Sequence, residues 1–159
     1  MIHPTAVIYP NVIIEEGVEI GPFCIIGAKA ESKKFWCKTE KFGVIIRKGA
    51  IITGHVTIDA GTTRNTEIGS DAFIMKGVHI GHDAMIRQGA TLSPHVVIGG
   101  HSEVGPNTNM GIASVVHQRV SIPGGCMIGM NATITKKTKL IENGVFVGSP
   151  AKWIRENRR

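Results

Sequence analysis

Seven histidines occur in this chain of 159 residues, and four of them stand where proton transfer could be organised. His79, His82 and Asp83 lie together in Gly77-Val78-His79-Ile80-Gly81-His82-Asp83; His101 follows Gly99 and Gly100, and His117 precedes Gln118. An imidazole with an ordinary pKa near 6.5 takes or gives a proton at neutral pH, and a carboxylate beside it can orient it. If residues 18 apart stack, three columns form on one edge. They read Gly81, Gly99, His117; then His82, Gly100, Gln118; then Asp83, His101, Arg119. His82 and His117 then share an edge two coils apart, about 10 Å, and His101 lies one coil from Asp83. Gly99 and Gly100 carry no side chains, so the histidines ring a gap fit for a ligand. Neighbouring corner residues can diverge, so a His82–Asp83 contact stays open here. So does the reading in which these residues only solvate a corner. His3, His55 and His95 are isolated and read as polar corners.

The elements that position them are set by a period of six. From Ile68 to Leu140 every sixth residue is aliphatic or Met, and the residue two before each, from Thr66 and Ala72 to Ala132 and Thr138, is small or β-branched. Such a period fits neither a helix face nor an alternating strand. It is the signature of a hexapeptide-repeat parallel β-helix, in which one hexad is a short strand plus a corner and three hexads make a triangular coil. Hexads start at Ile2 and run to Ile26, resume at Ile46 to Ile58, and run unbroken from Ile68. The total is about seven coils, an all-β domain over residues 1–140.

Two stretches leave the register. Residues 28–42, AKAESKKFWCKTEKF, carry five lysines and Trp36; a projecting loop with a binding or lid role and an idle insertion fit equally well. A second, four-residue interruption falls within residues 59–66. After Leu140, residues 141–144 read as a turn and 145–147 as a last strand. Residues 151–159 read as a short basic helix capping the open end, within a C-terminal segment 141–159.

The formal charge of +6 favours acidic partners: a phosphorylated cofactor, a nucleotide or an acidic carrier protein. Nucleic acid is the weaker choice, because no known binding motif and no basic stripe with interleaved aromatics is present. Cys24 and Cys126 sit at inward small positions and read as packing residues, whereas Cys37 lies in the loop as a free thiol. No signal peptide and no transmembrane run is apparent, so the expected location is cytoplasmic, without membrane insertion.

The segments VHIGHD (78–83), GGH (99–101) and VVHQ (115–118) resemble the UDP-N-acetylglucosamine O-acyltransferases of lipid A synthesis, a hexapeptide-repeat family. IHPTAVI and IGPFCIIG near the start resemble them too, and VTIDAGT (56–62) resembles the related N-acyltransferases. The likeness covers much of residues 1–135. It implies a left-handed β-helix and a homotrimer with active sites in grooves between subunits. It implies His82 as general base, Asp83 as the acidic residue that follows the base, and Gly100 as a backbone N–H donor to the oxyanion, worth about 3 kcal/mol. His79, His101 and His117 match residues that line the site, and Gly99 and Gln118 flank them in the groove. The donor would be an acyl-CoA or an acyl carrier protein thioester, the acceptor a sugar hydroxyl or amine. No tightly bound cofactor and no metal is implied. The family's helical C-terminal domain has no counterpart in residues 141–159, whose GVFVGSPAKWIRE resembles the closing segment of acetyl-CoA-dependent sugar acetyltransferases. Loop 28–42 has no counterpart either, so acyl length and acceptor stay open. A γ-carbonic-anhydrase-like metal site would place a ligand at Arg87, a cation that cannot replace an imidazole. A non-catalytic β-helix scaffold would not need the His/Gly groove.

Overall fold

The computed structural model describes residues 1–34, 36 and 41–158. Its 21 strands form three sheets, hydrogen-bonded from coil to coil. One sheet stacks β1 (Val7–Ile8), β4 (Ile25–Ala28), β7 (Thr57–Asp59), β10 (His79–Ile80), β13 (Val97–Ile98), β16 (Val115–Val116) and β19 (Thr133–Ile134). The next stacks β2 (Val12–Ile14), β5 (Val44–Ile46), β8 (Thr66–Ile68), β11 (Met85–Ile86), β14 (Glu103–Val104) and β17 (Ser121–Ile122). The third stacks β3 (Glu19–Ile20), β6 (Ile51–Ile52), β9 (Phe73–Ile74), β12 (Thr91–Leu92), β15 (Asn109–Met110), β18 (Met127–Ile128), β20 (Gly144–Val147) and β21 (Lys152–Glu156). All pairings are parallel except β20 with β21. On this third face Ile2 bridges Ile20 and β20 extends past Leu140, so the stack is about eight levels high.

Two residues suffice for each strand because the hexad does the rest. The large aliphatic points inward and is sealed: Ile68, Ile74, Ile80, Ile98 and Ile134 are wholly buried. Each such side chain contributes about 1.5–3 kcal/mol by leaving water. Three residues after it the chain turns in the left-handed region, at Asp71, Asp83, His95, His101, Asn107, Arg119 and Asn131 among others. Asn, Asp and His tolerate that region better than most residues, which accounts for their recurrence at this step.

The cap differs from expectation. Residues 152–156 form the strand β21 rather than a helix, and no helix occurs among the described residues. The physical reason is the open edge of β20. Its last unpaired strand groups need partners, and an antiparallel return from Gly144↔Glu156 to Val147↔Lys152 supplies them directly. Cys24 and Cys126 are buried and free, as expected of packing residues. Cys37 lies outside the described residues.

Both insertions leave from one corner. Residues 29–43 join β4 to β5, and residues 60–65 join β7 to β8. The same corner, on the next two levels, carries Gly81-His82-Asp83 and Gly99-Gly100-His101. Thr57 pairs with His79, which lengthens the usual step of a coil by the four inserted residues.

Candidate active site

Asp83 is the anchor of the site and is completely buried. Its φ of +61° turns the chain so that the carboxylate sits beneath the inserted loop 60–65. That loop wraps it with donors. Thr62 donates from its N–H and, at 2.6 Å, from its hydroxyl. Thr63 donates from its N–H at 2.7 Å and its hydroxyl at 2.8 Å, and the Arg64 N–H at 2.9 Å. The Arg64 guanidinium holds the Asp83 carbonyl at 2.9 Å. Below, the Thr66 hydroxyl accepts the Asp83 N–H. Gly61 makes the loop tight: a Cβ there would collide with the Arg64 carbonyl oxygen.

The sixth donor to the carboxylate is His82, whose Nδ1 lies 2.6 Å from Asp83 Oδ2. Burial pushes the Asp83 carboxyl upward, but the hydrogen bonds from Thr62, His82, Thr63 and Arg64 outweigh it and hold the group well below the usual carboxylate range. An ionised Asp83 can only accept, so Nδ1 of His82 must carry the proton and Nε2 is left with a free lone pair. That lone pair lies over Gly100, where a Cβ would come within 2.9 Å of Nε2. Any side chain at residue 100 would push the ring aside. The Gly100 N–H has no partner among the described residues, while its carbonyl accepts from Arg119.

His101 packs edge-on against His82, with ring centroids 5.0 Å apart, and its Nε2 is 3.6 Å from Asp83 Oδ2. Burial is the main cause holding its pKa below the ordinary value; the Asp83 charge opposes this without cancelling it. His101 is therefore neutral at pH 7. His82, Asp83 and His101 bring ligand atoms within 4.8 Å of one another. The six donors on Asp83 consume its lone pairs, which leaves two imidazoles, fewer than the three protein ligands of a catalytic zinc.

The structure brings His82, Asp83, Gly100 and His101 into one cluster. His79 lies on the outer face of β10, its Nδ1 2.8 Å from the Thr57 hydroxyl. Gly99 leaves room for the Gln118 backbone, whose N would be 2.5 Å from a Cβ. His117 and Gln118 are exposed on the corner, and His117 Nδ1 bonds the Gln118 carbonyl at 2.9 Å. No hydrogen bond or ring contact joins His117 to His82 among the described residues. Beside His101 opens a hollow of about 350 Å³ lined by Thr63, Arg64, Glu103 and Arg119. Another of about 410 Å³, reaching Lys136, shares its Arg119 wall.

Thr62, Thr63 and Arg64 were not legible as site residues. A signal existed: an insertion on the histidine corner, one level before His82, can only fold over that level.

A family model for bacterial transferase hexapeptide repeats, six to the model, matches residues 1–30 and 65–100. The hexads read from the sequence and stacked in the structure are the repeat that this model describes. The repeat chain is 30% identical over 129 residues to the acyl-[acyl-carrier-protein]–UDP-N-acetylglucosamine O-acyltransferase of Helicobacter pylori, an alignment covering 79% of this chain and 47% of that protein. It thus spans about half the length of that relative. Among solved structures, a UDP-N-acetylglucosamine acyltransferase of Bacteroides fragilis superposes with TM-score 0.92 at 27% identity, covering 98% of this chain and 60% of that one. The UDP-N-acetylglucosamine O-acyltransferase of Moraxella catarrhalis gives 0.81 at 26%, covering 99% and 75%. The repeat chain shares their left-handed β-helix. No helix among its described residues is long and apolar enough to cross a membrane.

Proposed function

We propose that this protein is an acyltransferase that moves an acyl group from a thioester to a hydroxyl or amine of a nucleotide-linked sugar. The observation that carries the reading is His82, its Nδ1 fixed on an ionised Asp83 and its Nε2 free above the unpaired Gly100 N–H. Nε2 takes a proton from the acceptor as the acceptor attacks the thioester carbonyl. The developing oxyanion is met by the Gly100 N–H, a contribution of about 3 kcal/mol in the transition state. His82, now protonated, returns its proton to the leaving sulfur, so no covalent enzyme intermediate is needed. Asp83 stays ionised throughout and stabilises the imidazolium. His101, neutral and edge-on, keeps the ring from swinging. His79, Gly99, His117 and Gln118 line the approach. The donor is an acyl-CoA or an acyl carrier protein thioester, and the basic wall of Arg64, Arg119 and Lys136 suits its phosphates or acidic surface. The similar O-acyltransferases support this class.

The working unit is a homotrimer. The outer face bearing His79 exposes Val7, Ile25 and Val97, at 51%, 40% and 39%. Packing this face against a neighbouring copy would wall the site on its open side.

The test is thiol release from acetyl-CoA, longer acyl-CoAs and acyl carrier protein thioesters, against nucleotide sugars with hydroxyl or amine acceptors. Acceptor-dependent release that disappears in His82→Ala is the expected result. Equal release in wild type and His82→Ala would remove His82 from the chemistry, and no release with any donor would count against the transferase.

A further inference from the structure

Two carboxylates are buried on the catalytic corner, and only one is accounted for. Asp59 ends β7, one level before Gly81, and is 6% exposed. Where Asp83 is saturated by six donors, Asp59 receives the backbone N–H of Glu31 and no side-chain donor or cation among the described residues. Its titratable neighbours are His79 and His82 on the site side and Glu31 on the side of the lysine-rich loop. The loop starts directly above it, where the Ala60 N–H bonds the Ala28 carbonyl at 2.7 Å. Burial is the main cause that raises the Asp59 carboxyl above its ordinary value; the Glu31 charge adds to it, while His79, the Glu31 N–H and His82 oppose it. A pair of neighbouring acids driven in opposite directions by their surroundings is the arrangement that divides acid–base roles within one site. A buried carboxylate with no cation also leaves a charge that a ligand can neutralise.

We infer that Asp59 is the acceptor-side carboxylate that receives the ammonium group of an amino sugar, so the acceptor of this transferase is an amine. The inference rests on the transfer reaction proposed above and chooses between its two acceptor classes. A hydroxyl acceptor has one proton to lose, and His82 takes it. An ammonium has two. Asp59 takes the first, which frees the nitrogen lone pair; the amine then forms the C–N bond as the C–S bond breaks. His82 takes the second proton and delivers it to the sulfur. Asp59 returns its proton to water, so ammonium plus thioester gives amide, thiol and one H⁺. Glu31, beside Asp59, adds negative potential where an ammonium would enter an otherwise basic chain.

The experiment pairs UDP-linked sugars bearing an amine at carbon 3 or 4 with their hydroxyl counterparts. Thiol release gives kcat/KM for each, and calorimetric titration gives binding without turnover. Wild type is expected to favour the amine, and Asp59→Asn, nearly isosteric, is expected to reduce the amine-to-hydroxyl ratio by at least about 10-fold, the scale of one charge-assisted contact. Ratios read within one variant are insensitive to partial misfolding, and the wild-type preference needs no variant at all. If thiol is never released but the amine still binds preferentially and Asp59→Asn abolishes the preference, the transfer reading fails, and with it the amine as acceptor, while Asp59 stands as the carboxylate that binds the ammonium. A wild-type enzyme indifferent to the amine in both readouts, or an Asp59→Asn enzyme with an unchanged ratio, overturns it.

Discussion

Asp83 acts on His82 through charge and geometry together, and each can be removed separately. Asp83→Asn keeps the size but offers one acceptor oxygen and an NH2 donor. The amide can turn its donor toward Nδ1 and select the wrong tautomer, so kcat is expected to fall about 10²–10⁴-fold, read by thiol release. The same carboxylate couples stability to pH. Its pKa is depressed in the folded state, so its stabilisation is fully present above the ordinary value of about 3.9 and is lost as pH falls below it. The melting-temperature gap between wild type and Asp83→Asn should be constant from about pH 5 to 8 and shrink below about pH 4. His101 follows the same sign for another reason. Its folded pKa is below its unfolded one, chiefly through burial, so the unfolded chain binds more protons and stability drops as pH falls from about 6.5. His101→Gln should flatten that part of the curve in calorimetric melts.

At the level of elements, the loop 60–65 is a clamp for Asp83, and its tightness rests on Gly61. Gly61→Ala drives a methyl into the Arg64 carbonyl. The loop must open, and the Thr63 and Arg64 N–H donors leave the carboxylate. The expected cost is about 2 kcal/mol or more, with a loss of activity like that of Asp83→Asn although residue 61 touches no substrate. A rung of the β-helix offers the opposite case. The Ser114 hydroxyl is buried at an inward small position and finds no partner among the described residues. The equivalent place on other levels is Ala72, Ala84, Ala90 or Ala132, all buried. Ser114→Ala removes an unsatisfied polar group without opening space a methyl cannot fill. Stability is expected to rise by about 1 kcal/mol, measured as a shift in denaturant midpoint at constant slope.

Across the whole molecule, every level is held by the one beneath, so the ends decide how the stack closes. Removing residues 150–159 would strip β21 from β20 and expose Val145 and Phe146 beside a free strand edge. Soluble yield and melting temperature should both fall, and light scattering should detect association through the bared edge. The apolar outer face with Val7, Ile25 and Val97 makes a second molecular-scale prediction. Light scattering of the intact chain should give three chain masses, and Val97→Glu, a charge placed on that face, should shift the distribution toward smaller species.

The period of six determined the fold without help from tertiary structure. A large aliphatic at every sixth residue can be buried only by stacking corners, and that arithmetic alone puts Asp83 one level from His101. The glycine gap at 99 and 100 was equally legible, because the repeat fixes which residues share an edge. What stayed out of reach were contacts made by chain that leaves the repeat. A loop of four inserted residues has no register, so nothing in its letters says that Thr62, Thr63 and Arg64 bend back over Asp83, or that Asp59 is shut in beneath residues 28–31. The His82–Asp83 contact was undecided for a related reason. Two adjacent corner residues diverge unless one is turned inward, and it is the loop's donors that hold Asp83 there. The last segment reads as a helix by its composition and becomes β21, since the free edge of β20 outweighs local propensity. Periodic sequence dictates what neighbours impose at a fixed spacing; the tertiary structure decides what happens wherever a segment must choose its own partner.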